Sequence, residues 1–222
     1  MAQTPLDREK IVQQAFALLN ELGPENLTLR RLAEKLGVQA PAIYWHFKNK
    51  QDLLDEMGTE VMRQTAMEGP AAESFADWHS WARAYALRLR GVLLRYREGA
   101  RMFSGTHLTD VSLYAAMEAS LRKLTDAGFS LTEAVTGMGI LYSYTIGFVI
   151  EEQAAHPMPG EADLHYDLEW RSQRVDGERY PLALAAGKLM FTDHDARFEA
   201  GLTIILRGMT AEASSAQAAS TV

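Results

Sequence analysis

Residues Leu27 to Lys50 read L-T-L-R-R-L-A-E-K-L-G-V-Q-A-P-A-I-Y-W-H-F-K-N-K, and this stretch decides the fold. Thr28 is an N-cap, because its hydroxyl can accept an orphan backbone N–H of the first helical turn. Leu29, Leu32, Ala33 and Leu36 then recur at helical spacing, while Arg30, Arg31, Glu34 and Lys35 take the other face. Gly37 supplies the left-handed conformation that ends a helix without a Cβ penalty. Pro41 suits the first turn of a second helix, where its missing N–H would be unpaired in any case. Helix, glycine turn and short helix is the layout of a helix-turn-helix, whose second helix enters the major groove.

Upstream, Leu6 to Leu22 is predicted as a helix with Ile11, Ala15, Leu18, Leu19 and Leu22 on one face, stopped by Gly23-Pro24. Downstream, Asn49 is the N-cap of a fourth helix running to about Ala66, with Asp52 completing a short capping box. Leu53, Leu54, Met57, Val61 and Met62 line its inner side, and Glu68-Gly69-Pro70 ends it. Beyond it the chain reads as helical throughout. Segments are expected at Phe75–Arg97, Gly99–Gly105 and, capped by Asp110, up to about Ala127. Ser130 with Glu133 is a capping box that opens Leu131–Ala155, a segment apolar nearly all round and therefore expected in the middle of a bundle. Residues 157–193 are polar, with short helices expected around Ala162–Arg171 and Leu182–Lys188. Thr192 or Asp193 caps a last helix from Ala196 to about Ala211, and the tail from Ala213 is expected to fray. With no strand pattern and no repeat, the fold is all-α. A three-helix domain at residues 1–50 is joined, by the stiff helix spanning about 49–66, to a second domain at 51–222.

A chain of 222 residues, 47% of them apolar, can bury a substantial core. It has no cysteine, which excludes disulfides, thiolate metal sites and a cysteine nucleophile. The N-terminal residues lack the apolar run of a signal peptide. The nearest approach to a membrane span, Ala134–Ile150, is interrupted by hydroxyls and glycines. A cytoplasmic protein with no membrane partner is expected. The net charge is −7, yet residues 1–50 hold seven basic and five acidic side chains. A basic head on an acidic body turns one end of the molecule toward phosphate.

Three segments carry a resemblance: A-F-A-L-L-N-E-L-G, then L-T-L-R-R-L-A-E-K-L-G-V, then P-A-I-Y-W-H-F-K-N-K-Q-D-L-L. Over roughly the first sixty residues the chain resembles the DNA-binding domain of TetR-family transcriptional regulators, and the tetracycline repressors most of all. The resemblance implies a homodimer on double-stranded, palindromic operator DNA, most often a repressor, released by a small-molecule effector. It places Arg30, Gln39, Ala40 and Ala42 at base-reading positions, around Pro41. It places Thr28, Tyr44, Trp45, His46 and Lys50 at backbone-contacting or helix-positioning ones. Gln39 can pair with adenine, Arg30 can bond guanine bidentately, and the alanine methyls can meet a thymine methyl. Tetracycline repressors carry larger polar groups at positions 40 and 42, so the operator is expected to differ from theirs. Ile43 reads as core of the head; Trp45 can be read as core or as surface.

The resemblance continues into R-Y-R-E-G-A-R-M-F-S-G-T, which is similar to the segment around the magnesium site of the tetracycline repressors, with Thr106 matching. Glu151 also matches an acidic residue of that site. The metal-ligating histidine is replaced by Phe103, a pocket histidine by Ala66, a pocket asparagine by Tyr85 and a pocket phenylalanine by Leu89. One carboxylate and one hydroxyl are thin support for a Mg²⁺ chelate, which needs near-octahedral oxygen ligation. No metal and no cofactor are expected. Tyr85, Leu89, Phe103, Met117, Leu121, Met138 and Tyr142, with hydroxyls such as Ser120, suit a flat or hydrophobic organic effector. Any single one of these residues could equally be ordinary bundle packing.

Other readings are weaker. The histidines, among them His46, His79, His156, His165 and His194, show no metal-ligand spacing. An enzyme built on Glu151 and a bundle histidine lacks a paired acid and base. A non-specific DNA-coating protein would be far more basic. A tetracycline–Mg-responsive repressor of an efflux gene remains the nearest alternative.

Overall fold

The computed structural model describes residues 6–163 and 166–219, with residue 171 and residues 210–219 described by backbone alone. Among the described residues there are eleven α-helices and no strand. His165 lies outside this description.

The head is built by its caps. Asp7 accepts from the Lys10 N–H at 2.8 Å and starts α1 (Arg8–Leu22), two residues later than predicted. Ile11, Ala15, Leu18 and Leu19 are buried, whereas Leu22, in the last turn, is exposed. Thr28 accepts from the Arg31 N–H and opens α2 (Leu29–Leu36), which Gly37 ends at φ 67°. Gln39 stands at the N-cap of α3 (Ala40–Tyr44) with Pro41 in its first turn. Asn49 accepts from the Asp52 N–H at 2.9 Å and opens α4 (Lys50–Met67). The Asp52 carboxylate reaches back to the Lys48 N–H instead of that of Asn49, so the predicted box is shifted by one residue.

The body follows as α5 (Trp78–Leu93), α6 (Gly99–Phe103), α7 (Leu113–Thr125) and α8 (Leu131–Ala155), then α9 (Leu168–Ser172), α10 (Pro181–Met190) and α11 (His194–Ala219). Several boundaries differ from the sequence expectation by a few residues, and three of them are instructive. Asp77 accepts from the Ser80 N–H at 2.7 Å, so α5 starts at Trp78 and not at Phe75. Asp110 does not cap α7: its carboxylate accepts from the Ser112 N–H and pairs with Arg63 at 2.9 Å, and the helix begins only after that turn. The stretch from Ala162 turns helical only at Leu168. Asp193 caps α11 by accepting from the Ala196 N–H at 3.1 Å. The last helix then continues through the tail expected to fray, as its alanine-rich sequence favours. The Ser130–Glu133 capping box is present in full at the start of α8.

Two apolar clusters hold the molecule together. The first starts in the head with Ile11, Phe16, Leu32, Ile43 and Phe47. It continues through Met57 and Val61 of α4 to Leu89, Leu93, Phe103 and Val149. Phe16 stacks on Tyr96 with ring centroids 4.0 Å apart and meets Phe103 edge-on at 5.7 Å. Asn20 adds hydrogen bonds to the Arg95 carbonyl and the Arg97 N–H. The second cluster joins Trp78 and Trp81 of α5 and Leu124 of α7 to Leu141 of α8 and Phe198, Leu202 and Leu206 of α11.

Helix α8 is long and apolar enough to cross a membrane by length and composition alone. Here α5, α6, α7 and α11 pack against it, and Glu152 and Gln153 are buried near its end. It is central on one side only. Thr132, Thr136, Gly139, Ile140, Ser143 and Gly147 form an exposed stripe along the other side, which corrects the expectation of a helix buried all round.

Candidate nucleic-acid interface and ligand cavity

The short α3 presents a sharply divided surface. Ile43 is fully buried and anchors the helix to α2 and α1, which settles its core assignment. Trp45 points the other way with 89% of its surface exposed, and Tyr44 is exposed beside it, so Trp45 is not core. Gln39 and Pro41 are exposed, and Ala40 and Ala42 are half-buried. The Gln39 side chain makes no capping bond. Arg30 is exposed on α2 and pairs with Glu34 at 3.2 Å. An exposed i,i+4 pair of this kind is worth a few tenths of a kcal/mol, about 0.3–0.5, and yields to a stronger partner.

The flanking groups are more constrained. The Thr28 hydroxyl is engaged in its cap, Arg31 bonds Asn26, and Lys35 pairs with Glu21. Lys50 donates to the Pro24 carbonyl at 3.2 Å, tying the start of α4 to the turn before α2. His46 is half-buried, and its carbonyl accepts from Arg8 at 2.6 Å. Arg8 also pairs with Glu56 at 2.6 Å and lies over the Phe47 ring at 4.4 Å. It therefore clamps the end of α3 to α1 and α4. Sequence reading missed Arg8, because its partners lie 38 and 48 residues away and no local spacing marks them.

Two of the body's cavities adjoin one another. The larger, ≈ 270 Å³, lies between the end of α4, the turn at 70–72, α5, α7 and Met138 of α8. Of the expected ligand residues, Ala66, Tyr85, Met117, Ser120 and Met138 line it. The second, ≈ 250 Å³, is lined by Leu89, Phe103, Thr106 and Tyr142. Met62 and Leu108 border both and separate them. Leu121 borders neither cavity and packs into the second apolar cluster. Glu151 is exposed on the outer side of α8, in line with Ser143 and Gly147, and borders neither cavity within one protomer.

Burial sets the chemistry of the larger cavity. It pushes the Tyr85 phenol up to about 12, with a smaller contribution from Tyr142, so Tyr85 stays a neutral hydroxyl at working pH. Arg88, which sequence reading did not single out, lines the same wall. Trp81, Tyr85 and Arg88 fall at i, i+4 and i+7 on α5, and that spacing is the signal that could have found it.

The residues at the positions that resemble the magnesium site of the tetracycline repressors do not fit that metal. Phe103 offers no donor and is buried against Phe16 and Tyr96. The Thr106 hydroxyl donates to the Phe103 carbonyl at 2.9 Å. With Glu151 on the outer face, the remaining donor set falls far short of octahedral oxygen ligation.

The two cavities touch the head through α4. A Cβ at Gly58 would fall well inside contact with Thr106 Oγ1 and 3.0 Å from Thr106 Cβ, so α4 and the turn after α6 approach as closely as glycine allows. Gly58→Ala is expected to push α4, and the head it carries, away from the turn after α6. Overpacking of this kind costs about 1–3 kcal/mol. Operator affinity is expected to fall about 10-fold, partly restored by Thr106→Ala in the same chain, as fluorescence anisotropy would read it. Unchanged affinity in Gly58→Ala would mean that this contact does not set the head.

Comparison with known proteins agrees with this arrangement. A family model described as bacterial regulatory proteins, tetR family, matches residues 11–57, and one described as tetracyclin repressor-like, C-terminal domain, matches residues 70–213. The chain is 38% identical over 209 residues to the tetracycline repressor protein class C of Escherichia coli, covering 92% of this chain and 90% of that one. Among solved structures, it is similar to a possible TetR family transcriptional regulator from Streptomyces coelicolor A3(2), with a TM-score of 0.80 and 36% identity. That match covers 92% of this chain and 99% of the other. It is also similar to a TetR variant from Acinetobacter baumannii AYE in complex with minocycline. There the TM-score is 0.76 at 32% identity, covering 93% and 94% of the two chains.

Proposed function

The chain belongs to the TetR family of bacterial regulatory proteins, and from that premise we propose how its parts divide the work of a ligand-responsive repressor. The DNA-binding head is residues 1–50 and the ligand-binding and dimerisation body residues 51–222, the boundary falling where α4 begins. Arg30 and Gln39 read base edges, with the Ala40 and Ala42 methyls at thymine. Tyr44, Trp45, His46 and Lys50 set the phosphate register around them. The protein acts in the cytoplasm, and as a regulator rather than an enzyme.

One observation carries this reading: a single apolar core runs from Ile43 and Phe47 behind the recognition helix, along Met57 and Val61, to Leu89 and Phe103 at the cavity. Helix α4 bears Lys50 at its DNA end and lines the larger cavity with Met62, Thr65 and Ala66. A ligand that moves this wall moves the head as a rigid lever.

The homodimer forms through the exposed stripe of α8 and a matching one on α11, Ala200, Ile204 and Gly208. Both are made of small or branched residues, which lets two copies of each helix approach closely in an isologous four-helix contact. Two-fold symmetry then sets the recognition helices about 34–36 Å apart, in successive major grooves of a palindromic operator. The effector favours a different separation. To swing a 1:99 population to 99:1 it must bind that state better by about 5.5 kcal/mol.

The contact assignment is tested by two substitutions on one operator library. Lys50→Ala is expected to weaken binding to all sequences and to lower the salt slope by about 1. Arg30→Ala is expected to relax preference at one base position, a loss of about 1–3 kcal/mol there. Identical profiles for the two variants would refute the assignment. Binding by the unmodified protein without any operator preference would refute the regulator reading itself.

A further inference from the structure

Arg88 stands apart from the other paired arginines of the molecule. Arg8, Arg63, Arg83, Arg90, Arg95 and Arg97 each meet a carboxylate. Among the described residues, none lies within ion-pair distance of Arg88. Its Nε donates to the Ala84 carbonyl one turn back at 3.4 Å, and its Nη1 to the Pro70 carbonyl at 3.3 Å. Both bonds are long, and a guanidinium has five N–H donors. Burial lowers the Arg88 guanidinium, with no neighbouring anion to offset it. Yet the side chain is held in place: the Gly69-Pro70 turn lies flat against it, and a Cβ at Gly69 would stand 2.9 Å from Nη1. A half-desolvated cation fixed at a cavity wall without a counter-charge is a docking point for an anion.

The rest of the wall suits an aromatic body. Trp81 and Tyr85 lie nearly parallel, 24° apart with centroids at 5.9 Å, and Met62, Met117 and Met138 add polarizable thioethers. Thr65 and Ser120 already donate their hydroxyls to helix carbonyls at 2.8 and 2.7 Å. Glu73, the carboxylate of this lining, is exposed.

We propose that the effector of this cavity is an aromatic acid, its carboxylate or equivalent anion held by Arg88 and its ring lodged among Trp81, Tyr85 and the methionines. The inference rests on the reading of this cavity as the effector site and names the chemical class that enters it. It also accounts for a ligand chemistry that needs no magnesium. The charge that a chelated cation would bring is replaced by one fixed on the protein.

The test compares matched pairs of probes by isothermal titration calorimetry on the full dimer, without DNA. The probes are benzoate, 2-naphthoate and biphenyl-4-carboxylate, each against its neutral primary amide. The expected result is an acid preference of about 10- to 100-fold in Kd for at least one ring size, the range of a charge-assisted hydrogen bond in a partly buried site. Arg88→Gln is expected to abolish that preference while leaving the amide's affinity within a factor of a few. Arg88→Lys is expected to restore part of it, and Glu73→Gln to preserve or increase it. Thermal unfolding of each variant checks that the fold survives. Equal binding of acid and amide, a preference that survives in Arg88→Gln, or no binding of any acid at millimolar concentration would each overturn the proposal. Operator binding is measured separately. Neutral ligands that bind here and release DNA would leave the regulator reading standing while removing the acid. Absence of operator binding would remove the regulator reading and leave the acid preference to the calorimetry.

Discussion

Gly139→Arg is expected to turn the dimer into a monomer and to lower operator affinity by more than about 100-fold. Gly139 sits in the middle of the exposed α8 stripe, and a Cβ there meets nothing within 4 Å of its own protomer. The substitution therefore leaves the protomer fold intact, and in a helix interior Gly is about 1 kcal/mol less favourable than Ala to begin with. In the proposed dimer the same position faces its symmetry mate, so two guanidinium groups would be forced together across the seam. A monomer holds one half-site, and the effective concentration of the second head is lost. Light scattering on the eluting peak reads the mass, and a gel shift on the full operator reads the affinity. A variant that stays dimeric and binds as before would place the seam elsewhere.

The second large effect is on stability. Arg90 of α5 donates to both Glu152 oxygens, at 2.8 and 2.6 Å, and pairs with Asp195 of α11 at 2.7 Å. Its side chain is 9% exposed and that of Glu152 10%. Burial by itself lowers the Arg90 guanidinium, and the bonds from Glu152 and Asp195 outweigh it, so the net shift is upward. Arg90→Ala leaves Glu152 buried without its cation. Breaking one side of a buried pair costs about 3–5 kcal/mol. For a chain of this size each kcal/mol is worth about 2–4 °C, so the low end of that range is a Tm drop of about 6–12 °C. Glu152→Ala is expected to cost less, because Asp195 still holds the guanidinium. The double change Arg90→Met/Glu152→Leu is expected to recover most of the loss, since apolar replacement of a whole buried pair is often near neutral. Scanning calorimetry of the three variants orders them; a double variant as unstable as Arg90→Ala would contradict the account.

Local chemistry explains which features were legible in the sequence. Caps made by a side chain three residues from its target, at Thr28, Asn49 and Ser130, and the glycine stop at Gly37 were all readable from neighbours alone. Asp110 misled because its carboxylate answers to Arg63, 47 residues earlier, and not only to the helix after it. Arg8 and the Arg90–Glu152 pair were invisible for the same reason: each is defined by a contact across the fold. The pocket residues show the limit most clearly. The resemblance supplied one set of positions, and the structure divides them between two cavities on either side of Met62 and Leu108, with Leu121 and Glu151 in neither. A resemblance carries over positions along helices, whereas the cavity a side chain faces is set by packing between helices, here around Met62 and Leu108.

The most direct test of the central claim is binding of the purified dimer to DNA from upstream of its own gene, with and without tetracycline and Mg²⁺. The account predicts tight binding at one palindromic site that the drug and metal leave unchanged, because Phe103 offers no ligand atom for a magnesium chelate. Release of the DNA by tetracycline with Mg²⁺, or binding with no preferred site, would contradict it.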